Sequence, residues 1–166
     1  LSGQFGSLDL ITLFVILIAM VGFNRYNPAV GVGIMSAIVM VLAWFEIIEK
    51  VKENYNIYLL SNSNEIHYDL FVRDLQLRFG YREFDELFHK AYFSFDLHLL
   101  KPNPEIYEFV INQHGMIPEE TLFIDDKPEN IDAAKKLGLL TYTIAEPERI
   151  RDIFNDGLLV EGTNIS

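Results

Sequence analysis

The stretch from Thr121 to Gly138 sets the strongest constraint on the fold. An apolar run, Leu122, Phe123 and Ile124, ends directly in two adjacent carboxylates, Asp125 and Asp126, before a helix that starts near Pro128. A buried strand ending in paired acids places negative charge at the carboxyl edge of a sheet, where open α/β sheets bind their ligands. Adjacent acids repel unless a proton or cation compensates them, so an oxygen-seeking divalent ion such as Mg²⁺ is the natural partner. The plainer reading is that Asp125 or Asp126 caps the helix that follows, with Pro128 in its first turn.

Two more polar clusters stand at comparable places. Asn56-Ile57-Tyr58-Leu59-Leu60 is a short β-prone run that stops at Ser61, Asn62, Ser63 and Asn64. Hydroxyl and amide groups there hydrogen-bond an anionic oxygen without adding charge. The same residue types also favour a turn and a cap, with Asn64 opening a helix from Glu65 to Phe79. Lys101 lies in Lys101-Pro102-Asn103-Pro104-Glu105-Ile106-Tyr107, whose two prolines hold the backbone extended before a helix from about Glu105. A lysine fixed in this way neutralises a phosphate or a buried carboxylate; otherwise it is a solvated surface charge.

Ser61 with Asn62, then Lys101, then Asp125 with Asp126 resemble the second, third and fourth motifs of the haloacid dehalogenase superfamily, most closely of its small phosphatase-like members. The resemblance is carried by Leu59-Leu60-Ser61-Asn62-Ser63-Asn64, Lys101-Pro102-Asn103-Pro104-Glu105-Ile106-Tyr107 and Phe123-Ile124-Asp125-Asp126-Lys127-Pro128-Glu129-Asn130, within about residues 46 to 150. A receiver domain of two-component signalling also combines paired acids, a hydroxyl and a lysine, but there the acids come first along the chain. The resemblance implies Mg²⁺-dependent hydrolysis of a small phosphorylated metabolite through an aspartyl-phosphate. It implies that Ser61 hydrogen-bonds the transferring phosphoryl group, that Asn62 helps to orient it and that Lys101 offsets charge on nucleophile and phosphate. Asp125 and Asp126 would hold Mg²⁺, with Asn130 ordering their loop. These roles agree with the demands of phosphoryl transfer, which are positioning and positive charge around three equatorial oxygens.

The family places two aspartates one residue apart after its first, central strand. Upstream of Ser61 this chain has only Asp9, which precedes the apolar run instead of following it. If Leu17 and Ile18 end a degenerate first strand, Ala19 and Val21 stand in place of the acids, and neither attacks phosphorus or binds a metal. Hydrolysis by the chain alone is therefore expected to be impaired. The alternative is a non-catalytic, membrane-tethered module that keeps the metal and anion pocket.

Leu10 to Phe23 carries Thr12 as its one polar residue, and Ala29 to Phe45 carries Ser36; the turn-forming Asn24-Arg25-Tyr26-Asn27-Pro28 separates them. A bilayer-spanning helix needs about 20 apolar residues; the second run, extended through Ile47 and Ile48, comes near that length and the first falls short. A transmembrane helical hairpin over residues 1–45 is the preferred reading, with Gly31 and Gly33 allowing close helix approach. Buried elements of an α/β core are the second, because parallel strands read as continuous apolar runs. A cleavable signal peptide is the third. If part of Leu10 to Val21 fills the central place in the sheet, that part does not span a membrane. Leu1 in place of an initiating Met is expected of a fragment.

Residues 1–45 hold only Asp9 and Arg25 as charges, so the formal net charge of −11 resides in Glu46 to Ser166. Such acidity opposes nucleic acid or an anionic membrane surface as a partner of that part. The absence of cysteine excludes disulfides and zinc–thiolate chemistry. Lys50 and Lys52 place the carboxyl-terminal part on the cytoplasmic side of a membrane, with a soluble cytoplasmic chain as the alternative. From Glu46 onward helix and strand alternate, as in a doubly wound parallel sheet of the α/β class. Strands are expected to end at Leu60 and to cover Ala91 to Ser94, Leu122 to Ile124 and Leu139 to Ile144. Helices are expected from about Trp44 to Asn54, then over Glu65 to Phe79, Glu83 to His89, Glu105 to Gln113, Pro128 to Leu137 and Pro147 to Phe154. The α/β domain then covers residues 46–155, and 156–166 read as a loose tail. His67, His89, His98 and His114 show no metal-ligand spacing.

Overall fold

The computed structural model describes residues 12–15, 47–63, 80–144 and 150–166, together with 65, 68–69, 72–73 and 76–77. Five strands, β1 (Thr12–Val15), β2 (Asn56–Ser61), β3 (Lys90–Phe93), β4 (Thr121–Asp125) and β5 (Leu140–Thr143), form a parallel sheet in the order β3-β2-β1-β4-β5. From β1 the chain steps outward to β2 and β3 on one side, then crosses to β4 and β5 on the other. The reversal makes the carboxyl ends of the central strands a topological switch point, where such sheets open a crevice.

Leu13 pairs with both Ile57 and Leu122, and Phe14 with both Tyr58 and Phe123, so β1 is central. Of the places open to the first apolar run, Thr12–Val15 takes the core strand instead of a helix in a hairpin. A backbone bonded to strands on both sides is not part of a membrane-spanning helix, and a central parallel strand is apolar along its length because both faces are covered. The remainder of the expected hairpin, 1–11 and 16–45, lies outside the described residues. Among the described residues no helix is long and apolar enough to cross a membrane.

Strand alternation sorts the core into two layers. Ile57 and Leu59 of β2 with Leu122 and Ile124 of β4 face helix α1 (47–54), packing with its Ile48 and Val51 and with Phe84 and Phe88. Tyr58, Leu60 and Phe123 face helices α2 (Pro104–His114) and α3 (Pro128–Lys136), packing with Ile106, Tyr107 and Val110 of α2 and Ile131 and Ala134 of α3. Pro104 and Pro128 open their helices, where the missing N–H has no intrahelical partner to lose. α2 closes on Gly115 in the left-handed region, at φ 59°. Glu83 to His89, expected as a helix, forms one 3₁₀ turn, Phe84–Glu86.

The carboxyl-terminal end differs most from expectation. The last helix is described as a single turn, Ile150–Ile153; its expected beginning, 147–149, lies outside the described residues. A hairpin of β6 (Phe154–Asn155) and β7 (Leu158–Leu159) follows, turning through Asp156 and Gly157 at φ 49° and 80°. Lys50 Nζ lies 3.0 Å from Asp156 Oδ1, and the Leu159 N–H donates to the Tyr55 hydroxyl at 3.2 Å, fixing the hairpin to α1 and the residue that follows it. Thr141 and Ser166 exchange two backbone hydrogen bonds of 2.9 and 3.1 Å, so the segment read as a loose tail covers the outer edge of β5. The pairing uses backbone groups, which leave no periodic trace in the side chains.

Candidate functional site

β2 and β4 flank β1 and end together, which brings Ser61 and Asp125 to one edge of the sheet. Lys101 enters from the segment before α2. Its ammonium donates to the Leu60 carbonyl at 2.9 Å and to Asp125 Oδ2 at 3.0 Å, with the two side chains only 3% and 0% exposed. Neither ion would be tolerated alone at such burial, and each compensates the other. Burial pushes the Lys101 pKa down, and the Asp125 carboxylate opposes that shift.

Asp125 has further donors around it. Oδ1 accepts from the Lys127 N–H at 2.9 Å and from Asn130 Nδ2 at 3.0 Å, and Asn130 Nδ2 also lies 2.9 Å from Oδ2. Asn130 is itself buried, and its carbonyl accepts from the Tyr107 hydroxyl at 3.3 Å. This carboxylate is thus occupied on both oxygens. Asp126 differs: its Oδ1 is buried without a hydrogen-bond partner. Burial first, and the charge of Asp125 second, hold the Asp126 pKa above the ordinary carboxylate range. An orphaned, desolvated carboxylate oxygen is a group that a cation satisfies.

Asn62 closes a two-bond ring with the backbone of Lys101: its Nδ2 donates to the Lys101 carbonyl at 2.9 Å, and its Oδ1 accepts the Lys101 N–H at 3.0 Å. The side chain to which the resemblance gives a phosphoryl contact is engaged in holding the Lys101 segment against the end of β2. Ser61, 5% exposed, pairs in register with Phe93 of β3. Beyond that pair, Ser94 Oγ accepts the Ser63 N–H at 3.0 Å and donates to the Ser63 carbonyl at 2.9 Å. Ser61, Asn62, Lys101, Asp125, Asp126 and Asn130 therefore gather at one edge.

Sequence reasoning passed over Ser94 and Tyr107. Ser94 was expected as the last residue of the strand Ala91 to Ser94 and instead opens the helical turn Ser94–Leu97, and Tyr107 lies within the lysine motif with nothing to mark its hydroxyl. His89 and His114 stand elsewhere, near Tyr58, with ring centroids 6.1 and 4.3 Å from it. Among the described residues no group of three or more His, Cys, Asp or Glu is placed to hold a metal. The sequence contains no aspartate between Val15 and Asn56; β1 ends at Val15, and Ile16, Leu17, Ile18 and Ala19 come next in the sequence.

Comparison with known proteins identifies the family. The model of the haloacid dehalogenase-like hydrolases matches residues 37–138. D-ribitol-5-phosphate phosphatase of Bacteroides thetaiotaomicron is 34% identical over 102 residues, which are 61% of this chain and 48% of that protein. A haloacid dehalogenase-family enzyme from Bacteroides thetaiotaomicron, solved with magnesium and inorganic phosphate, superposes with a TM-score of 0.56 at 38% identity, covering 61% of this chain and 51% of that one. A HAD-like hydrolase from Porphyromonas gingivalis gives a TM-score of 0.56 at 39% identity, covering 61% and 49% of the two chains. The chain thus spans about half the length of these relatives. With three motifs meeting at the switch point of the sheet and a family match over most of its length, this chain belongs to the haloacid dehalogenase-like hydrolases.

Proposed function

We propose that the chain is the metal- and phosphate-binding part of a phosphomonoesterase for a small phosphorylated metabolite, and that it binds the phosphoryl group without turning it over by itself. The observation that carries this reading is the buried Lys101–Asp125 pair beside the partnerless Oδ1 of Asp126. The relatives support it: one is named as a sugar-alcohol phosphatase and another was solved with magnesium and inorganic phosphate.

Mg²⁺ fits this edge as a cation with few protein ligands. It commonly keeps several waters and binds through one or two carboxylates plus phosphate oxygens. Asp126 would hold it, while the oxygens of Asp125 are committed to Lys101, Lys127 and Asn130. When bound, the ion neutralises charge on the phosphate oxygens.

The chain's own residues do the remaining work. The Ser61 hydroxyl, at the end of β2, donates to a phosphate oxygen. Lys101 has three N–H donors; two go to Leu60 and Asp125, and the third serves the phosphoryl group. Asp125 keeps Lys101 charged against its burial, and Asn62 holds the backbone that carries it. An attacking carboxylate is the absent part, since no aspartate follows β1 before Asn56.

Calorimetric titration with orthophosphate in Mg²⁺, beside a turnover assay with p-nitrophenyl phosphate, tests the proposal. The expected result is Mg²⁺-dependent phosphate binding that Asp126→Asn weakens at least about tenfold, roughly the loss of one charge-assisted interaction, without turnover. Turnover abolished by Asp126→Asn would show that the chain supplies its own nucleophile. No phosphate binding at all would overturn the reading.

A further inference from the structure

We infer that Ser94 is a positioning residue of the phosphate site, acting through Ser63 on the end of β2 that carries Ser61; the inference rests on the phosphate-binding reading above. The β2–β3 ladder pairs Leu60 with Tyr92 and Ser61 with Phe93, and Phe93 is the last residue of β3. At Ser94 the chain turns into a single helical turn, Ser94–Leu97, and its backbone leaves the plane of the sheet. The backbone ladder ends there, and Asn62 holds the chain beyond Ser61 to the backbone of Lys101.

The Ser94 side chain extends it by one step. Its oxygen accepts the Ser63 N–H at 3.0 Å, and its hydroxyl donates to the Ser63 carbonyl at 2.9 Å, so one side chain satisfies both backbone groups of Ser63. The hydroxyl is buried, with Ser94 at 5% exposure, so water is a poor substitute for either bond. Between the last ladder pair, at Ser61, and this clamp, at Ser63, lies Asn62. Asn62 in turn binds both backbone groups of Lys101. Ser94 thus fixes the far end of the segment from which both the phosphate-facing hydroxyl and the anchor of Lys101 are presented. Asp126 lies on the other side of β1, at the end of β4, outside this chain of contacts.

This separation yields the test. In the full chain, Ser94→Ala removes both bonds, and orthophosphate affinity, measured by calorimetry in Mg²⁺, should fall about five- to tenfold. The affinity for Mg²⁺ alone should stay unchanged. Ser94→Thr, which keeps the hydroxyl, should restore phosphate affinity. Ser61→Ala is the reference. If Ser61→Ala weakens phosphate binding while Ser94→Ala binds as tightly as the parent, the inference is overturned and the site stands. If Ser61→Ala leaves binding intact, the phosphate reading itself fails. A loss of Mg²⁺ and phosphate affinity together in Ser94→Ala would mark general disruption and overturn the inference. Should the alanine variant not fold, Ser94→Cys, similar in size with weaker hydrogen bonding, is judged by the same criteria.

Discussion

Lys101 and Asp125 are buried together, and the environment of each is arranged around the other. Without the ammonium, the Asp125 carboxylate would keep only the neutral donors of Asn130 and the Lys127 N–H, at 0% exposure. Breaking a buried pair from one side is strongly unfavourable, so Lys101→Met should lower stability by about 3 kcal/mol. Urea denaturation measures it, and the double variant Lys101→Met/Asp125→Asn should lose less than the sum of the singles. At this scale the sequence was informative about which residues meet. Ser61, Lys101, Asp125 and Asp126 were each legible as a reactive type at the end of an apolar strand or before a proline-initiated helix. How the roles divide was not legible. Strand alternation says which face a side chain takes, whereas the donors that occupy Asp125 and leave Asp126 Oδ1 open come from Asn130, Lys127 and Lys101, on different elements. Asn62 shows the same limit, since an amide after a strand is equally suited to an anion and to a neighbouring backbone.

The elements from α1 onward follow from local chemistry. β2, β3, β4 and β5 stand within a residue or so of their expected places, because Gly and Pro punctuate the apolar runs and both faces are covered by helices. The carboxyl-terminal hairpin was missed. Its strands are two residues each, too short for period-two alternation to register. Its sequence signal was the pair Asp156-Gly157, whose positive φ values suit a tight hairpin turn. Gly157 is also required by contact: a Cβ there would lie 2.4 Å from the Lys50 carbonyl oxygen in α1. Gly157→Ala combines that overlap with a left-handed backbone and should destabilise the chain on the order of 1–3 kcal/mol. Thermal unfolding checks this, and Gly162→Ala, with φ 86° but open space around its Cβ, isolates the backbone part.

For the molecule as a whole, the first apolar run was the hardest part to read. A run free of charge satisfies a central parallel strand and a membrane helix equally well, and the difference lies in what stands beside it. β1 between β2 and β4 supplies that information for Thr12–Val15. It gives the sheet the central strand without which the ends of β2 and β4 would not face one crevice. In the sequence no aspartate lies between Val15 and Asn56, which is why the proposal above assigns this chain binding and not turnover.

The central claim is that one edge of the sheet, built around Asp126, is the cation and oxyanion site. Amide resonances followed during titration with Mn²⁺, a paramagnetic ion that also favours oxygen ligands, test it most directly. The account predicts that the signals of Asp126, Lys127 and Ser61 broaden first, and that Asp126→Asn abolishes the effect. Broadening centred instead on the acidic surface of Glu49, Glu53 and Glu86, or unchanged in Asp126→Asn, would contradict it.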